Sequence, residues 1–304
     1  MSFDKIDAAK KANLIDFAYN MFQPGLLQPP VDPGIAQAGY QFLYYLNATD
    51  FHSREFYGYI AASTTTPGAY VLVVRGTETL QEWLLDVAAL PVFFTPAPDA
   101  GSVALGFLSI YRTFEFFEAA GASQTLSQVV AELAVKPAGI TEFLVLGHSL
   151  GAALATLAAA ELALVNPSGI KDKVVIYTFA SPRVGLLDFA ASFNDAVPSS
   201  FRIWNILDIV PQFPTFPFIH VSGFGDSIVQ TEQQLETLVY LPACEHHLTS
   251  YQWLLDPAGS QLADGCSEMA VQSAIAAMAA DAGHGPDQRK QSARILRKAC
   301  AGHE

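Results

Sequence analysis

Charge is scarce in this chain. Only 15% of its 304 residues are Asp, Glu, Lys or Arg, and 51% are apolar. That balance excludes a disordered protein and allows a large buried core, in one big α/β domain or two small ones. Positive charge is the scarcer sign. Lys and Arg number 16 against 29 Asp and Glu, a net charge of −13, which argues against nucleic acid and strongly anionic membranes as partners. Cysteine is scarce too: Cys244, Cys266 and Cys300 are too few, and odd in number, for a disulfide scaffold. Cys244 and Cys266 pair if the chain is exported; three free, mostly buried thiols are the alternative. No apolar run is long enough to span a membrane, and the best one, 151–165, is interrupted by Glu161. The lysines near Met1 are followed by no apolar stretch, so no secretory signal is expected. Localisation therefore reads as cytoplasmic, or exported by a leaderless route. Repeats, linkers and composition breaks are also missing, so residues 1–304 read as a single domain. Residues 284–304 form a basic helix or tail, with Arg289, Lys290, Arg294, Arg297 and Lys298 against Asp287 and Glu304.

Along the chain, residues 5–22 show helical spacing, and 28–38 form a Pro/Gly connector. Runs at 40–46, 55–62 and 69–74 read as strands, the last two joined by a turn at 65–68. Residues 106–120 and 123–134 read as helices, then strands at 143–146, 173–179 and 201–207 alternate with helices at 150–164 and 185–196. Helices are expected near 246–255, 268–280 and 287–300. Strands joined by turns, followed by strands alternating with helices, predict an α/β fold: a mostly parallel sheet with an antiparallel edge, flanked by helices.

The chain's chemistry centres on Gly147-His148-Ser149-Leu150-Gly151. An apolar strand precedes it and an Ala/Leu-rich helix follows. A strand turning directly into a helix strains the turn residue and exposes its side chain at the sheet's edge. Gly147 and Gly151 are predicted where side chains would collide at the strand–helix crossing. Ser149 is thereby offered to a base, and the Leu150 N–H, at the helix start, faces any anion formed on a bound substrate.

Such a serine needs an imidazole within reach and a carboxylate behind it, in the chain order Ser, Asp/Glu, His. Of the acids Asp172, Asp188, Asp195 and Asp208, only Asp208 directly ends an apolar strand, the edge where functional groups of an α/β sheet gather. His284 and His303 lie in the polar tail, and His220 follows an apolar run as a core histidine would. His246 and His247 sit at a loop-to-helix junction from which a ring can reach Ser149.

These motifs resemble the fungal-type, class 3 lipase family of the α/β-hydrolases over about residues 40–255. Val74-Arg75-Gly76-Thr77 resembles its strand-end motif, Gly147–Gly151 its elbow, Asp208-Ile209-Val210-Pro211 its acid motif, and His247-Leu248 with Tyr251 its histidine motif. Ala180 stands where the family often has Gly. The resemblance implies Ser149 as nucleophile, His247 as base and Asp208 as the group orienting it. It also implies Thr77 and Leu150 as the oxyanion hole, with no metal or cofactor. The helix 80–90, with Leu80, Trp83, Leu84 and Val87 on one face, matches the family's lid, which would uncover the serine at a lipid–water interface. Trp83, Val210 and Leu248 are candidate substrate contacts. The implied activity is carboxylic ester hydrolysis, with triacylglycerol foremost. Aryl, feruloyl or short-chain esters and phospholipase A1 activity are alternatives, and a silent binding module is the alternative of another class.

Overall fold

In a computed structural model, residues 3–50, 53–77, 89–119, 121–165, 169–205, 208–221, 229–233, 242–263 and 266 are described. Residues 80–88 of the proposed lid helix, with Trp83, and the two expected C-terminal helices lie outside those residues.

Strands β4 (Pro91–Phe93) and β5 (Ser102–Ala104) form a separate two-stranded ribbon. The sheet is built from β1 (Tyr40–Thr49), β2 (Arg54–Ser63), β3 (Ala69–Val74), β6 (Glu115–Phe117), β7 (Glu142–His148), β8 (Val174–Phe179), β9 (Ser199–Asn205) and β10 (Val229–Gln233). Their order is β10-β9-β8-β7-β3-β2-β1-β6. Strands β3, β7, β8, β9 and β10 run parallel, and β1, β2 and β6 pair antiparallel at one side. The expected antiparallel edge on a parallel sheet is present, in an α/β-hydrolase fold.

The unbroken apolar runs of β3 and β7 follow from burial on both faces. Tyr70, Leu72 and Val74 of β3, with Phe143 and Val145 of β7, enter the core cluster on one face. Val71, Val73, Leu144 and Leu146 enter the cluster on the other. The first face is covered by the helices Leu105–Tyr111, Leu126–Ala134, Leu150–Leu164 and Leu187–Ala196. The second is covered by the N-terminal helix, Lys5–Met21, and by Leu248–Leu255. The helix Leu150–Leu164 is buried all round except for Glu161 and Leu164, as its Ala/Leu composition requires. Glu161 is half-buried, and its carboxylate accepts from Tyr111 Oη (2.7 Å) and Ser127 Oγ (2.9 Å).

Two sequence expectations need correction. Residues 112–119 do not prolong a helix. The helix ends at Tyr111, where the Thr113 hydroxyl donates to the Ile110 carbonyl (2.7 Å) and accepts from the Thr49 amide (2.7 Å). The aromatic run that follows then pairs with β1 and buries Phe116. The Pro/Gly connector holds a short helix, Pro33–Gln37, capped by Asp32, whose carboxylate accepts from Gly34 N (2.7 Å).

Candidate active site

At the end of β7 the backbone reverses into the helix Leu150–Leu164 through Ser149, which sits at φ 58°. A non-glycine residue there is strained, and the crossing explains why it persists. A side chain on Gly147 would meet Gly151 O at 2.4 Å, and one on Gly151 would meet Arg75 O and Val74 O at 2.3 Å. Both glycines are therefore required, as the sequence predicted. Ala180, also non-glycine, takes φ 54° immediately after β8.

The carboxyl ends of β9 and β7 place Asp208 and Ser149 on either side of one imidazole, and that imidazole belongs to His246. Its Nε2 lies 2.8 Å from Ser149 Oγ and its Nδ1 lies 2.8 Å from Asp208 Oδ2. The carboxylate only accepts, so Nδ1 carries the proton and Nε2 accepts from the serine hydroxyl. Asp208 is fully buried. It also receives Tyr251 Oη at Oδ2 (2.7 Å) and Val210 N at Oδ1 (2.9 Å). Burial, and then the Asp208 charge, push the Tyr251 phenol well above its ordinary range, so it stays a donor. Tyr251 Oη in turn accepts from Asn205 N (3.1 Å).

The sequence-based choice of His247 is thereby corrected. His246 ends the short helix Pro242–His246, whereas His247 is the N-cap of the next. The exposed His247 ring bonds its own helix start, with Nδ1 2.8 Å from Thr249 Oγ1 and accepting from Thr249 N (3.3 Å). An N-cap side chain is occupied by the helix that it caps, so the preceding residue is the one that reaches Ser149.

The turn bearing His246 is held at three successive carbonyls. Ser250 Oγ donates to Cys244 O (2.6 Å), Asn205 Nδ2 to Glu245 O (3.0 Å) and His148 Nε2 to His246 O (2.9 Å). All three donors are buried. Cys244 is also disulfide-bonded to Cys266. Sequence reasoning raised that pairing as one alternative, and it missed the three donors because each comes from a different element.

Gly76 packs directly on Ser149: a Cβ there would lie 2.9 Å from Ser149 Cβ. Thr77 therefore follows a residue in contact with the serine, and Leu150 opens the helix behind it, where backbone N–H groups have no intrahelical acceptor. Val210 and Leu248, proposed to touch substrate, are instead buried, one in each core cluster. Each follows a site residue closely in sequence, and the turn directs it inward. Among the described residues, no cluster of His, Cys, Asp or Glu has the makings of a metal site.

Residues 71–218 match the family described as lipase (class 3). The chain is similar to that family over just under half of its length. It is 36% identical to secreted mono- and diacylglycerol lipase A of Penicillium cyclopium, over 54% of this chain and 50% of that protein. It is 31% identical to phospholipase A1-II 7 of Oryza sativa subsp. indica, over 54% of this chain and 47% of that protein. The chain thus spans about half the length of these relatives. Among solved structures, the Rhizomucor miehei triacylglyceride lipase aligns with a TM-score of 0.54 at 23% identity, covering 75% of this chain and 78% of that one. That likeness concerns the fold.

Proposed function

We propose that this chain is a member of the class 3 lipase family and a serine carboxylic ester hydrolase acting on acylglycerols. The observation that carries the reading is the 2.8 Å contact between Ser149 Oγ and His246 Nε2, with Asp208 bonded behind the ring. Ser149 Oγ attacks the ester carbonyl as its proton passes to Nε2, and the carbonyl electron pair moves to oxygen. The N–H of Leu150 and the backbone and hydroxyl of Thr77 receive that oxyanion. Loss of one such donor costs about 10²–10³ in turnover. Asp208 holds the imidazolium in register. The tetrahedral centre collapses and the alcohol leaves with the Nε2 proton, giving an acyl-serine. Water, deprotonated by His246, then releases the acid and restores Ser149.

Acylglycerols are supported by the name of the Penicillium relative. The apolar stripe of Leu80, Trp83, Leu84 and Val87 in the sequence supports action at a lipid–water interface. The rice relative supports phospholipase A1 activity as a second reading, and the net charge of −13 weighs against anionic phospholipid. The disulfide favours export over residence in a reducing compartment.

Release of p-nitrophenol from p-nitrophenyl butyrate tests the reaction. Wild type gives a burst and Ser149→Ala gives none; equal rates in the two would end the reading. Rates on tributyrin and on phosphatidylcholine vesicles decide between the two lipid classes.

A further inference from the structure

Tyr19 lies on the N-terminal helix, outside the residues that match the family, yet its hydroxyl reaches the site. Gly76 N donates to Tyr19 Oη (2.8 Å), and Tyr19 Oη lies 2.7 Å from His148 Nδ1. His148 Nε2 lies 2.9 Å from His246 O. The order of donors in this chain follows from its ends. A carbonyl only accepts, so His148 must carry its proton on Nε2. Burial, and then the neighbouring His246, push His148 well below its ordinary range, so the ring is neutral and Nδ1 accepts. Tyr19 therefore donates to His148 and accepts from Gly76.

The two ends of this relay are the two halves of the proposed chemistry. Gly76 precedes Thr77 and touches Ser149. Its carbonyl is held from the other side by Arg75 Nη1 (2.7 Å), so the Gly76 amide and carbonyl each have a fixed partner. His246 carries the imidazole bonded to Ser149. We infer that Tyr19 and His148 are positioning residues that set the spacing between the oxyanion strand and the base-bearing turn. Neither touches substrate; each acts through the backbone of a neighbour. The inference rests on the hydrolase reading given above. A misplacement of about 1 Å in such a site costs on the order of 10²-fold in rate.

The test compares steady-state kinetics on p-nitrophenyl butyrate with active-site titration by a p-nitrophenyl phosphonate and with the melting temperature. Tyr19→Phe keeps the ring and removes only the hydroxyl. The expected result is a fall in kcat of about 10- to 100-fold, with KM and the titratable fraction unchanged. His148→Gln, which keeps a donor near the Nε2 position, is expected to retain much more kcat than His148→Leu at equal titratable fraction. A Tyr19→Phe kcat equal to that of wild type would overturn the inference. So would a kcat that falls only in step with the titratable fraction, since lost fold then explains it. Equal kcat in the two His148 variants would overturn it as well. Wild-type turnover that survives Ser149→Ala would instead bring down the hydrolase reading, and this inference with it.

Discussion

His246 and His247 are neighbours in sequence that face different environments: one ring is buried between Ser149 and Asp208, and the other is exposed and caps the helix Leu248–Leu255. Substitution should separate them cleanly. His246→Ala is expected to lose at least about 10⁴-fold in turnover, because members of such a unit fail together. His247→Ala should keep turnover within a few-fold and lose about 1 kcal/mol of stability with its cap. Ester hydrolysis assayed beside urea denaturation reads both effects. Strong loss in His247→Ala with little in His246→Ala would reverse the assignment.

Tyr251 makes two bonds through one oxygen, giving to Asp208 Oδ2 and taking from Asn205 N. Tyr251→Phe leaves a buried carboxylate oxygen and a buried amide each short of a partner. Removing such a bond costs about 1–3 kcal/mol. We expect a lower urea midpoint and a kcat reduced about 10-fold. A variant as stable and active as wild type would show that the hydroxyl does not restrain Asp208.

The Cys244–Cys266 bridge fastens the helix that ends in His246. Closing a loop of this size removes unfolded-state freedom equivalent to about 3 kcal/mol in the chain-entropy account. The double variant Cys244→Ser/Cys266→Ser is expected to melt several degrees lower and to lose turnover before it loses secondary structure. Thermal melts followed by circular dichroism, with activity sampled along the way, test this. Coincident loss of both signals would place the effect on the whole fold.

Stability should weaken on mild acidification, partly through His220. Its Nε2–H donates to Pro211 O (2.8 Å), and burial, followed by the Arg202 charge, pushes the ring down to about 3. The unfolded chain takes up this proton near pH 6.5, so between about pH 3 and 6.5 unfolding binds protons and becomes easier as pH falls. His148, which is also held low, adds in the same sense. Asp16 and Glu245, whose burial raises their carboxyls, act in the opposite sense by binding a proton first in the folded state. His220→Gln keeps a donor to Pro211 and removes the titration. Its urea midpoint should decline less steeply than wild type from pH 6.5 to 4, and parallel slopes would contradict the account.

The elbow, the acid and the layout of a parallel sheet with an antiparallel edge were legible in the sequence because each is written locally. Gly147 and Gly151 are demanded by backbone contacts within one strand–helix crossing, and Asp208 follows a strand whose apolar run marks it. The choice of histidine was not legible from the family motif. It depends on which of two adjacent residues begins a helix, and the signal that was available is that a residue capping 248–255 is already occupied. Strand β6 was misread because Thr113 ends a helix that its neighbours would continue. Tyr19, Asn205 and His148 stayed hidden because their contacts join distant parts of the chain.

Gln252 Nε2 donates to both Asn13 Oδ1 and Asp16 Oδ2, each at 2.9 Å, so the helix behind His246 is clasped to the first helix of the chain. The region shared with the family, 71–218, holds the serine and the aspartate but neither the imidazole nor this clasp. Excised alone, that region is expected to be inert. The activity is not portable as a cassette: a transplant succeeds only if the early helix and the late one travel together.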